Sequence, residues 1–113
     1  MELTNGEIFN LTYRMEQTFK NFNSNLPAKL LFYIMQNQHN ISEKAVAIQK
    51  TKDNIMESSL SDEEKQEKLN QLATITQEVE IKEIPLDWIT NDIEFTMEQM
   101  EALMFMLEKE NKD

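Results

Sequence analysis

His39 is the only histidine of the chain, and Glu43 follows it by four residues, so on a helix the two side chains share one face. Two such ligands do not make a zinc site, which needs further nitrogen, sulfur or carboxylate donors in tetrahedral array. The same histidine would have to serve any Ser-His-Asp relay, and it sits in the amide-rich run 36–40 that reads as a solvated helix face. Acidic residues number 21, so pairs with the chemistry of a general acid and base occur throughout and single out no site. With one glycine, Gly6, no glycine-rich loop is available to cradle phosphate. The absence of cysteine removes thiol nucleophiles, thiolate metal sites and disulfides, and fits a reducing compartment. The expectation is a chain without catalytic, metal or cofactor chemistry.

Charge is the stronger signal. Residues 1–60 hold six acidic and six basic side chains, whereas residues 78–113 hold eleven acids and three lysines, or −8 of the total −10. Acidic side chains of that half (Glu78, Glu80, Glu83, Asp87, Asp92, Glu94, Glu98 and Glu101) read either as a solvated surface or as a mimic of nucleic-acid charge. A mimic would occupy a basic groove on a partner protein and would bind fast and in a salt-dependent way. Direct binding to nucleic acid or anionic lipid is disfavoured, because both need positive charge. The cationic side chains suited to a small anionic ligand lie in the neutral half, at Arg14, Lys20 and Lys29, with Tyr33 nearby. Tyr13, Phe32, Tyr33 and Trp88 read either as core aromatics or as the lining for a flat ligand.

These residues need a scaffold, and the spacing predicts a mainly α fold of three to four helices with one short β-strand or bridge. One glycine and two prolines in 113 residues leave few breaks, which excludes an all-β fold with its frequent turns. Length and composition predict one globular domain. A first helix spans about 5–22, with Ile8, Leu11, Met15 and Phe19 inward and a cap from Thr4 or Asn5; Asn21 to Pro27 form the turn.

The next helix, about 28–58, carries Ile34, Ile41, Ile48 and Ile55 at intervals of seven, the repeat of a packed helix seam. A break at Asn40–Ser42 is an alternative. Unbroken, this helix is about 45 Å long, against a diameter of about 34 Å for a compact globule of this size. A second copy of the chain covering the isoleucine seam is therefore expected. Ser61 and Glu64 open a third helix with Leu69, Leu72 and Ala73 inward. A half-exposed strand at 78–84 would pair with residues 2–4 or with another subunit. Thr96 and Gln99 open a last helix with Met97, Met100, Leu103, Met104 and Leu107 on one face, and Phe105 and Met106 towards the other.

The opening residues lack the basic and apolar regions of a secretion signal, and no stretch reaches the ~18 apolar residues of a membrane span, so a cytoplasmic protein is expected. The order Leu3-Thr4-Asn5-Gly6-Glu7-Ile8, then Leu26-Pro27-Ala28-Lys29 leading to Ile34, Asn37, Ile41 and Glu43, a charged linker after Leu60 and a strand from Glu78 to Ile84 resembles small phage and prophage proteins of Gram-positive bacteria. That group's function is unknown, and the resemblance implies a phage accessory protein acting in the host cell. Together these features lead to an expected inhibitor of host defence that blocks a basic, nucleic-acid-handling protein through the acidic half. The alternatives are a homo-oligomeric sponge for a small nucleotide-like signal and a virion or assembly component.

Overall fold

Thr4 and Glu7 open the first helix by capping each other. The Thr4 amide donates to Glu7 Oε1 at 2.9 Å, and the Glu7 amide donates to Thr4 Oγ1 at 3.1 Å. The computed structural model describes residues 1–19, 26–90 and 93–108. In it, strand β1 (Glu2–Thr4) leads into helix α1 (Asn5–Phe19), followed by α2 (Ala28–Glu57) and α3 (Asp62–Thr74). Strand β2 (Thr76–Glu78), a 3₁₀ turn at Leu86–Trp88, helix α4 (Met97–Leu103) and a second 3₁₀ turn at Met104–Met106 complete the order. The fold is mainly α, as the spacing predicts. The expected turn at 21–25, with Phe22, lies outside the described residues.

Helix α2 is unbroken over 30 residues. Ser42 does not cap a new helix; its hydroxyl donates back to the Gln38 carbonyl, so the ladder continues through the expected break. Pro27 immediately precedes the first helical residue, and its carbonyl accepts from the Leu31 amide at 3.0 Å. Ile34, Ile41 and Ile48 are buried in one cluster with Ile8, Met15 and Phe19 of α1. The isoleucine seam is therefore covered by the chain itself, which corrects its assignment to a subunit interface; only Ile55 stays half-exposed. The period of a helix fixes which face is buried but not what buries it.

The strand lies earlier than its alternation suggests. β1 and β2 pair antiparallel, with Glu2 opposite Glu78, Leu3 opposite Gln77 and Thr4 opposite Thr76. Beyond Glu78 the chain stays extended, with Val79 and Ile84 buried and Ile81 half-buried, but α2 takes the place of a sheet neighbour. Ile84 forms an isolated parallel bridge to Leu107.

Helix α3 lies over the surface and buries no residue fully, with Leu69 and Leu72 half-buried and Ala73 exposed. Its cap differs from a full box: Ser61 accepts from the Glu64 amide at 3.2 Å, while the Glu64 carboxylate takes the Ser61 hydroxyl. Helix α4 departs from its predicted face. Met97 and Met104 are exposed, whereas Leu103 and Met106 are buried. The 3₁₀ turn after Leu103 has three residues per turn, which aligns Met106 with Leu103 and swings Met104 outward.

Candidate functional site

The acidic half is held in place by two asparagines of α2. Asn37, fully buried, donates its amide to the Lys82 carbonyl at 2.9 Å and accepts the Lys82 N–H at 2.7 Å. One helical turn on, Asn40 donates to the Glu80 carbonyl at 3.0 Å. These side chains satisfy the backbone of an extended segment as a ladder would. Alternation then does the rest: with Val79 inward, Glu78 and Glu80 are exposed, and Glu83 is exposed beside buried Ile84.

Asp87, Glu94, Glu98 and Glu101 are exposed as well, and Asp92 lies outside the described residues. The carboxylates are not gathered in one groove. Glu78 and Glu80 line a recess with Glu43, Lys44, Asn40 and Met1. Glu98 and Glu101 line another, between α1 and α4, with Tyr13 and Arg14. Glu78 pairs with the Met1 ammonium at 3.1 Å, and among the described residues no other acid from Glu78 onwards has an ion pair.

Of the residues considered for an anionic ligand, the structure joins two and separates one. Lys29 and Tyr33, four apart on α2, meet Trp88 from the 3₁₀ turn. The Lys29 ammonium lies 5.0 Å from the Trp88 ring centroid, and Tyr33 and Trp88 meet edge-on at 5.0 Å. Lys82 adds a second cation 5.3 Å from the Tyr33 ring, and Phe32 touches Tyr33 at 6.5 Å. Arg14 lies apart, beside Glu98 and Glu101, and Lys20 is outside the described residues. Tyr13 is not part of the aromatic group; it is 67 % exposed on α1.

The pairing of Lys29 with Tyr33 follows from their spacing. Trp88 is among the aromatics that the sequence groups with Tyr33 and Phe32, whereas Lys82, in the extended segment that Asn37 ties to α2, is marked by no local signal in the sequence. His39 and Glu43 approach to 4.0 Å, both exposed, and no cluster of three metal-ligating side chains exists among the described residues. An apolar recess between Phe9, Ile48, Lys52, Leu69 and Leu72 has a volume of about 190 Å³, below the roughly 300 Å³ at which small-molecule sites begin.

The arrangement offers two surfaces for recognition, one of exposed carboxylates and one of aromatics flanked by lysines. No helix among the described residues is long and apolar enough to cross a membrane. No family model matches this chain, and no curated protein or solved structure matches it.

Proposed function

We propose that this chain is a non-catalytic binding protein whose acidic C-terminal half occupies a basic surface on a partner protein, one that ordinarily holds nucleic-acid phosphate. The observation that carries this reading is a set of exposed carboxylates outside any ion pair: Glu80, Glu83, Asp87, Glu94, Glu98 and Glu101 are exposed, and none is within ion-pair distance of a cation among the described residues. Glu80 and Glu83 project from a backbone that Asn37 and Asn40 fix, so little ordering is needed on binding. In the setting that the resemblance to phage-encoded proteins implies, the partner is a nucleic-acid-handling defence protein of the host, blocked by occupancy. The chain immobilised against host lysate is expected to retain basic proteins that elute with salt and that also bind DNA-cellulose. Reversal of Glu80 and Glu83, or of Glu98 and Glu101, to lysine tells which part of the acidic half is used. If both double variants retain the same proteins to the same salt concentration, the reading fails.

The cluster of Lys29, Tyr33, Lys82 and Trp88 favours a second reading, capture of a nucleotide-like ligand by stacking and charge. Calorimetric titration with nucleoside mono- and diphosphates tests it. Binding that Lys29→Ala and Lys82→Ala each weaken supports this reading, and no heat with any of them removes it.

A further inference from the structure

We infer, resting on the basic-partner reading, that the Tyr33–Trp88 pair is the anchor for an arginine side chain of that partner, which takes the face of Trp88 in place of Lys29. The aromatic surface and the carboxylates then serve one contact. The field of the acidic half draws the partner in, and the rings hold it.

Both rings already hold a cation. An aromatic face attracts positive charge within about 6 Å of its centroid. The Lys29 ammonium stands 5.0 Å over Trp88 and the Lys82 ammonium 5.3 Å over Tyr33, both closer than Lys52 over Phe9 at 5.9 Å. The two lysines come from different elements, α2 and the extended segment after β2, yet both end on this ring pair. Tyr33 and Trp88 are half-buried and meet edge-on at 5.0 Å, so the rings are ordered before a partner arrives.

The two lysines are not held alike. Lys82 is half-buried, and Asn37 fixes its backbone through bonds of 2.9 and 2.7 Å. Lys29 is exposed in the first turn of α2 and lies outside any ion pair among the described residues. Its ammonium is the replaceable one, because on leaving Trp88 it exchanges a single exposed contact for hydration.

Hydration decides the replacement. A guanidinium is planar, weakly hydrated and stacks on an aromatic face, whereas an ammonium is a compact, strongly hydrated charge. An arginine therefore displaces Lys29 from Trp88, and its in-plane N–H groups remain free to donate to a carboxylate. Asp87, next to Trp88 in the 3₁₀ turn, is exposed and has no ion pair among the described residues. A protein that ordinarily grips phosphate presents arginines of this kind. A nucleotide on the same rings makes the opposite demand, since its phosphate needs Lys29.

Trp88 is the only tryptophan of the chain, so its fluorescence reports on this ring alone. The test is titration of the full chain with hexa-arginine, and with hexa-lysine as a probe of equal charge. Hexa-arginine is expected to change the Trp88 emission and to bind about tenfold more tightly than hexa-lysine. Lys29→Ala removes the competitor and is expected to raise the affinity for hexa-arginine about two- to fivefold. Lys50→Ala removes the same charge from an exposed site about 30 Å along α2, and is expected to raise it less. No binding of hexa-arginine, an emission it leaves unchanged, equal affinity for hexa-lysine, or a Lys29→Ala effect no larger than that of Lys50→Ala overturns the proposal. Weaker binding on Lys29→Ala overturns it as well. The basic-partner reading is judged apart, by retention from lysate: basic proteins that are retained, but that Lys29→Ala holds to no higher salt than Lys50→Ala does, overturn the anchor and leave that reading standing.

Discussion

Asn37 shows how one side chain fixes a surface from beneath. Its amide replaces a sheet neighbour for Lys82, donating and accepting within 3 Å while fully buried. Removing it leaves a backbone N–H and a carbonyl unpaired in a half-buried place, and each such group costs about 1–3 kcal/mol. Asn37→Ala is therefore expected to lower stability by about 2–4 kcal/mol in urea unfolding. Asn40→Ala removes one exposed bond, which water replaces, and is expected to cost only about 1 kcal/mol. Equal losses from the two would mean that the segment 79–84 is not anchored at Lys82. At this scale the sequence was partly legible. Asn37 interrupts an apolar face and so marks an unusual position, but nothing in it names Lys82, 45 residues away, as the partner.

At the scale of elements, the two N-terminal caps of α3 and α4 have similar chemistry but different consequences. Thr96 and Gln99 form a complete box, with the Gln99 amide donating to Thr96 Oγ1 at 3.1 Å and the Thr96 amide donating to Gln99 Oε1 at 3.0 Å. Helix α4 has seven residues, yet it positions Ala102 and Leu103 in the core and leads to Met106. Loss of the cap therefore reaches the core, and Thr96→Ala is expected to lower global stability by about 1 kcal/mol. Helix α3 buries nothing fully, so Ser61→Ala is expected to speed amide exchange in its first turn while leaving the unfolding midpoint nearly unchanged. Both caps are readable as Ser or Thr three residues before Glu or Gln. The rotation of α4 is not: the spacing of its methionines assumes 3.6 residues per turn, and the 3₁₀ turn at Met104–Met106 changes that period where the chain closes against Ile84.

For the whole molecule, charge governs the proposed contact. The half from residue 78 onward carries −8, so capture of a basic partner should weaken steeply between 50 and 500 mM salt. Light scattering of the chain with the captured partner at the two salt concentrations checks it, and a complex that persists unchanged at 500 mM salt would place the contact away from the carboxylates.

The sequence by itself determined the mainly α class, the limits of α2, the capping residues and the concentration of acids after residue 78. All of these depend on periodicity, breakers and composition, which act within a few residues of the chain. Tertiary structure decided what covers the isoleucines, which lysines meet Tyr33 and Trp88, and which side of α4 faces inward. A heptad of isoleucines can be buried by a second subunit or by the chain's own α1, and burial of the same area stabilises either arrangement. The choice follows from how the remaining segments pack, and that information lies in residues far apart in the chain. Once α1 closes over Ile34, Ile41 and Ile48, the large apolar side chains left exposed on α2 are Phe32, Met35, Val46 and Met56.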